Sequence, residues 1–100
     1  GFPPRKAGAF EALLDGLAQE QGTLIFYESP QRIGRSLGWL AERWPDRMGV
    51  VARELSKIHE EFDRGSLKEL ASRWSGEARG EIVLLVEGAA VEAAEHVFAP

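Results

Sequence analysis

The sequence predicts an α/β domain with four strands and flanking helices. Two observations predict it. Segments with apolar residues at helical spacing alternate along the chain with short runs that are too continuously apolar for half-exposed strands. One hundred residues, 44% hydrophobic and 28% charged, also suffice for one domain with a single core.

The first helix is predicted over residues 7–21, with its stop at residues 20–22. Its apolar face consists of Phe10, Leu13, Leu14, Leu17 and Ala18. Residues 23–27 are rich in β-branched and aromatic side chains, which predicts a central strand. The N-terminal Arg5 and Lys6 face either solvent, a phosphate or a neighbouring domain.

A second helix follows the turn at residues 28–32. Ser29 is a favourable N-cap, Pro30 suits the first helical position, and Pro45 stops the helix after Trp44. Gly34 and Gly38 each weaken a helix by about 1 kcal/mol relative to Ala, so we expect them to allow a close approach to the sheet.

Residues 48–52 form the next predicted strand, parallel to the first because the strand-helix-strand order favours a right-handed crossover. Residues 60–64 are a short, partly exposed strand closed by Gly65. Ser66 caps a helix through Trp74, with Glu69 completing a capping box. Its inward-facing residues are Leu67, Leu70, Ala71 and Trp74. Residues 81–86, with five consecutive aliphatic side chains, predict a central strand.

The charged stretch at residues 53–61 is the strongest candidate site. It begins where a buried strand ends and lacks the Gly, Asn, Asp and Pro typical of solvated turns. If the stretch is extended, the two-residue spacing places Lys57 and His59 on one face, where Lys57 acts as a base near Arg53. Simple contacts with backbone or solvent fit the same pattern. Glu60 and Glu61 diverge and make a poor acid/base pair.

The turn at residues 27–32 is the second candidate, since ligands of open α/β sheets bind where a strand passes into a helix. Either Glu28 or Arg32 contacts a substrate there, or the two form a capping device with an ion pair. The sequence leaves both open.

Several function classes are disfavoured. The chain has no cysteine and no HExxH motif, so we predict no metal site within it. It also has no glycine-rich nucleotide-binding loop. The net charge of −4 disfavours a general nucleic-acid binder, although residues 1–64 carry nine basic and ten acidic side chains and leave room for a basic face. No apolar run approaches the roughly 20 residues of a membrane span, so we expect a soluble, cytoplasmic protein. The first residue is Gly, not Met, so we expect a chain that is either processed or cut from something longer.

Four motifs in order resemble the C-terminal half of the ribosomal small-subunit RNA methyltransferase I family, within the tetrapyrrole methylase superfamily. They are GFPPRK at residues 1–6, LIFYESPQR at 24–32, VARELSKIHEE at 51–61 and GEIVLLVEG at 80–88. The family has Gly-Phe-Leu-Pro at the start, and His and Thr where Gln31 and Ser56 stand. Gln31 removes a titratable group, whereas Ser56 keeps the hydroxyl.

The resemblance implies a tetrapyrrole methylase C-terminal domain at residues 1–88, an α/β fold with a mixed sheet of four to five strands and flanking helices. Gly1 and Phe2 would be the stub of its first strand. Residues 89–100 form a partly ordered tail. The resemblance also implies an enzyme that uses S-adenosylmethionine to methylate a cytidine 2′-hydroxyl of small-subunit rRNA. It further implies a homodimer whose cofactor lies in a cleft against an N-terminal domain absent from this chain, which leaves the fragment inactive alone.

Under this resemblance, Lys57 or His59 is the base or orients the hydroxyl. Arg53 and Arg32 contact phosphates, and Glu54 or Glu28 orients them. Two alternatives remain open: a methylase acting on a corrin or porphyrin precursor, and a non-catalytic RNA-binding, partner-binding or dimerisation module.

Overall fold

A computed structural model describes residues 3–76 and 78–89 of the chain. Within them lie three helices and four strands. In chain order these are α1 (Ala7–Leu17), β1 (Leu24–Glu28), α2 (Ile33–Arg43), β2 (Met48–Ser56), β3 (His59–Ser66), α3 (Leu67–Arg73) and β4 (Glu81–Val86). The predicted α/β class with a four-stranded sheet is confirmed. The predicted strand stub at Gly1 and Phe2, and most of the predicted tail, lie outside the described residues.

The sheet has the strand order β1-β4-β2-β3, and every neighbouring pair is antiparallel. β1 and β2 therefore point the same way, as predicted, but β4 lies between them. No two neighbouring strands among the described residues are parallel, so the expectation of a mixed sheet is wrong for these four strands. β4 takes the central position that its aliphatic run predicts. β1 is an edge strand, not a central one, and alternates buried and exposed residues along its length.

The core lies between one face of this sheet and the three helices. Side chains opposite each other on neighbouring strands share a face, and the buried strand residues all fall on the same one. The fully or nearly buried apolar side chains are Phe10, Leu14, Leu24, Phe26, Ile33, Leu37, Leu40, Val51, Leu67, Leu70, Ile82, Leu84 and Val86.

The charged stretch is part of a β-hairpin, which corrects the prediction of a loop leaving the sheet. β2 continues to Ser56 instead of ending at residue 52, and β3 begins at His59. Only Lys57 and Ile58 lie in the turn. Pairing with β3 satisfies the backbone groups of these polar residues, and the side-chain pattern gave no sign of that pairing.

Helix boundaries follow the sequence at some ends and not at others. α1 ends at Leu17, short of the predicted residue 21. α2 starts at Ile33, because residues 30–32 form a turn first, so Ser29 is not its N-cap. Its end before Pro45 is confirmed, and so is the capping box, in which Ser66 accepts from the Glu69 backbone and Glu69 accepts from the Ser66 backbone.

The two glycines of α2 have different surroundings. A Cβ at Gly34 would lie 2.5 Å from the carbonyl oxygen of Trp74, whereas a Cβ at Gly38 would have no heavy atom within 4 Å. Gly34 therefore permits close contact between α2 and the C-terminal end of α3. The expectation that both glycines approach the sheet is wrong.

Candidate functional site

Three ionisable side chains lie in one row across the helix-covered face of the sheet. Glu28 pairs with Ile82, Ile82 with Arg53, and Arg53 with Glu61, so the row crosses all four strands. Residues paired in this way project to the same side. The register thus places two predicted site residues, Glu28 and Arg53, on one face with Ile82 between them.

At the β1 end of the row, Glu28 is buried, with 4% of its surface exposed. Its Oε1 accepts hydrogen bonds from the Ser29 backbone N–H at 2.8 Å and from Arg32 Nε at 3.2 Å, and its Oε2 accepts from Ser36 Oγ at 2.6 Å. A buried carboxylate needs such partners. The Glu28–Arg32 contact is the ion pair that the sequence left open, but no side chain caps α2. Substrate contact by Glu28 or Arg32 stays a prediction.

At the other end, Arg53 occupies a defined position between Glu61 and Trp74. Its Nη2 donates a hydrogen bond to Glu61 Oε2, and its guanidinium carbon lies 5.2 Å from the centroid of the Trp74 ring. Its Nε is buried and has no hydrogen-bond partner. Beside it is a cavity of about 250 Å³ lined by Arg53, Asp63, Arg73, Trp74 and Gly76. Arg53 therefore lines a cavity, and its Nε has no acceptor among the described residues.

Glu61 connects Arg53 to His59. Its second carboxylate oxygen, Oε1, lies 3.4 Å from His59 Nε2. The hydrogen bond from Arg53, and then that from His59, holds the pKa of the Glu61 carboxyl below its usual value. Glu61 is thus an ionised group that orients a guanidinium on one side and an imidazole on the other.

A second ion pair fixes the indole ring beside Arg53. Arg73 donates from Nε to Asp63 Oδ2 at 3.0 Å and from Nη2 to Asp63 Oδ1 at 2.9 Å, and Trp74 Nε1 donates to Asp63 Oδ2 at 2.8 Å. The Arg73 bonds are the main reason that the pKa of Asp63 is lowered, and the Trp74 bond adds to them. Because these donors of Arg73 and Trp74 are satisfied by Asp63, the Arg73–Asp63 ion pair supports the position of the Trp74 ring.

The other predicted site residues do not join this cluster. Glu54 projects to the opposite face of the sheet, where it pairs with Glu60 on one side and Glu81 on the other. Lys57 lies exposed in the hairpin turn. The chain reverses between Lys57 and His59, so the extended segment that would place both on one face does not exist, and that expectation is wrong.

Sequence reasoning missed Glu61, Asp63, Arg73 and Trp74 as parts of the site. In the sequence, Glu61 is interpreted only as one half of a poor acid/base pair with Glu60. Its signal is visible only once the hairpin register is known, since that register places Glu61 opposite Arg53. Among the residues that the structure describes, no group of three or more His, Cys, Asp or Glu is arranged to hold a metal ion. None of the described helices has the length and apolar character needed to cross a membrane.

Comparison with curated proteins identifies relatives of the chain. The chain is 46% identical over 94 residues to a Mycobacterium tuberculosis protein named ribosomal RNA small subunit methyltransferase I, an alignment that covers 93% of the chain and 33% of that relative. A Bacillus subtilis protein of the same name is 42% identical over 90 residues, covering 88% of the chain and 30% of the relative. One from Streptococcus pyogenes serotype M3 is 41% identical over 93 residues, covering 92% and 32%.

The chain is a homologue of these methyltransferases. It spans about a third of the length of the curated relatives that it matches. No family model matches the chain. The resemblance predicted from the four sequence motifs is confirmed.

Proposed function

We propose that this chain is the C-terminal domain of an enzyme that methylates the 2′-hydroxyl of a cytidine in small-subunit rRNA. The observation that carries the proposal is the 46% identity over 93% of the chain to a ribosomal RNA small subunit methyltransferase I. The intact enzyme is a cytoplasmic homodimer in this proposal, and the isolated domain is inactive because the rest of the active site lies outside it.

S-adenosylmethionine is the methyl donor in this proposal and supplies an electrophilic methyl group on sulfur. The sequence of this domain contains no glycine-rich nucleotide loop, so we assign the main cofactor contacts to the part of the protein outside these hundred residues. The contribution of this domain is then to bind and orient the RNA.

The Arg53 cluster is suited to bind a phosphate of the RNA. Arg53 is one of the residues that line the cavity, and Trp74 and Glu61 fix its guanidinium in place. A guanidinium held in this way donates to phosphate oxygens without losing further side-chain freedom. Arg32, which is held by Glu28, is the second proposed phosphate contact.

Removing the proton from a ribose hydroxyl requires a base within hydrogen-bond reach, because the pKa of that hydroxyl is far above neutral. His59 is the favoured base, since Glu61 orients its imidazole and its side chain remains 58% exposed to an approaching substrate. Lys57, two residues away in the hairpin turn, is the second candidate. Glu54 lies on the opposite face and orients neither Arg53 nor His59 in this structure.

The test uses the full-length protein with small ribosomal subunits and a labelled methyl donor. Mass spectrometry of the digested rRNA is expected to find 2′-O-methylcytidine, and methylation of a base or of no nucleotide would overturn the function. The Lys57→Ala and His59→Ala variants are then compared with Glu42→Gln, a change at an exposed residue of α2. We expect the variant that removes the base to lose more than about tenfold in rate, or about 1.4 kcal/mol. If both retain methylation within that factor, the base assignment is wrong.

A further inference from the structure

The face of the sheet opposite the helices carries apolar side chains in two cross-strand rows. Ile25, Leu85, Val50 and Arg64 form the first row, and Tyr27, Val83, Ala52 and Phe62 form the second. We call the surface formed by these two rows the open face. No described helix packs on it, because the core side chains of all three helices lie on the other side.

Large apolar side chains of the open face are substantially exposed. The exposed fractions are 52% for Ile25, 50% for Tyr27 and 59% for Phe62, and Met48 at the edge of the same face is 49% exposed. A contiguous apolar surface of this kind is rare on an independent soluble domain and marks an interaction site. Two shallow cavities, of about 230 and 450 Å³, open along it at its opposite ends.

One end of the open face is acidic. Glu81, Glu54 and Glu60 lie directly opposite one another on β4, β2 and β3. Like charges in such positions repel and destabilise the sheet. Lysine or arginine side chains of a partner placed over this row would offset the repulsion, so the surface fits a partner that is apolar at its centre and basic along one side.

This charge pattern decides between the possible occupants. RNA is disfavoured because three carboxylates repel its phosphates. A second copy is disfavoured too, because the two rows and the acidic row provide one basic side chain, Arg64, against three carboxylates. Two such faces packed together would leave carboxylates against apolar side chains or against each other.

We infer that the open face packs against the part of the same polypeptide that lies outside these hundred residues, through a surface with apolar side chains bordered by lysine or arginine. The chain spans about a third of its curated relatives, so a polypeptide of their length has ample further sequence to supply that surface. The inference rests on the proposed function in one respect: it takes the whole protein to be about as long as those methyltransferase relatives. It leaves the Arg53 cavity on the helix-covered side available to substrate.

The test is cysteine reactivity in the full-length protein, with any cysteine outside this chain replaced by serine. Single variants I25C and F62C report on the open face, and S72C, at an exposed position of α3, is the matched control. In the monomer fraction separated by size exclusion, we expect both open-face variants to react with a maleimide at least about tenfold more slowly than S72C, equivalent to about 1.4 kcal/mol of protection. Equal rates in denaturant confirm that the thiols themselves do not differ.

A charge-reversal arm tests the basic border of the partner. The E60K/E81K change, made in the F62C background, is expected to raise the reaction rate about tenfold, since 1.4 kcal/mol of lost attraction corresponds to that factor. The E42K change on α2 is the control and leaves the rate unchanged. Circular dichroism of the charge variants, and the reaction rate of S72C carrying the same E60K/E81K change, show whether they remain folded.

Three outcomes overturn the inference. If I25C and F62C react as fast as S72C in the monomer, the open face is not covered. Protection that appears only in the dimer fraction assigns the face to a second copy, and protection that appears only after small ribosomal subunits are added assigns it to the substrate particle. Because none of these readouts uses methyl transfer, failure of the inference and failure of the proposed function are distinguishable.

Discussion

Arg53 and Glu61 lie directly opposite each other on β2 and β3 and are joined by a hydrogen bond across the hairpin. The remaining carboxylate oxygen of Glu61 contacts His59. One acidic residue thus sets the positions of the proposed phosphate contact and the proposed base.

Glu61→Gln in the full-length enzyme is expected to lower kcat for rRNA methylation by about tenfold or more, or about 1.4 kcal/mol. The amide keeps the shape of the side chain but loses the charge that holds Arg53 and His59. Steady-state kinetics across a pH series provide the measurement, because a positioning role also shifts the pH profile of kcat. A change in KM alone, or an effect no larger than that of Glu42→Gln, would show that Glu61 only stabilises the hairpin.

Ser36→Ala is expected to destabilise the domain by about 1–3 kcal/mol, because it removes the hydrogen bond from Ser36 Oγ to the buried Glu28 carboxylate. Urea unfolding of the hundred-residue chain measures the loss. Ser72→Ala, at an exposed position of α3, is the matched control and is expected to change stability by less than about 0.5 kcal/mol. Similar values for the two serines would mean that Glu28 does not depend on Ser36 for its burial.

Gly34→Ala and Gly38→Ala are expected to act in opposite directions, although both replace a glycine within α2. The Gly34 change places a Cβ 2.5 Å from the Trp74 carbonyl oxygen, and such overpacking costs about 1–3 kcal/mol. The Gly38 change meets open space and is expected to stabilise the helix by about 0.5–1 kcal/mol. Thermal unfolding of both variants gives the comparison, and a stabilised Gly34→Ala would contradict the close contact of α2 with α3.

Asp63 is expected to make stability depend on pH in acid. Its pKa is lowered in the folded state, chiefly by the hydrogen bonds from Arg73. The carboxylate therefore contributes stability above the unfolded-state pKa of about 3.9 that is lost as pH falls through the folded value. The difference in unfolding free energy between wild type and Asp63→Asn is expected to be constant near neutral pH and to shrink below about pH 4. A difference that does not shrink in acid would assign the stabilisation to packing instead.

Local signals in the sequence located most elements. Ser66 and Glu69 are three residues apart and satisfy each other's backbone N–H groups, so a capping box is a property of four consecutive residues. Pro45 ends α2 because its ring excludes a continuing helix. Ser29 does not cap α2 because its Oγ makes no hydrogen bond to a described residue and a turn at residues 30–32 precedes the helix.

The candidate site was only partly predictable from sequence. The residue types and the two segments that carry them were identified, but the faces on which they lie were not. Side chains alternate between the two faces of a strand, so Glu54 and Arg53 are separated by the sheet although they are adjacent in sequence. Neither the hairpin register nor the contact of Trp74 with Arg53 has a local signal.

The sequence by itself determined the α/β class, the capped helix α3, the aliphatic strand β4 and the resemblance to ribosomal RNA methyltransferases, because each depends on short-range pattern. Only the tertiary structure decided that β4 lies between β1 and β2, that Glu61 joins Arg53 to His59, and that one face of the sheet remains uncovered. Strand order and register arise from pairing between residues distant in sequence. A shift of a single residue in that pairing would move each side chain to the other face.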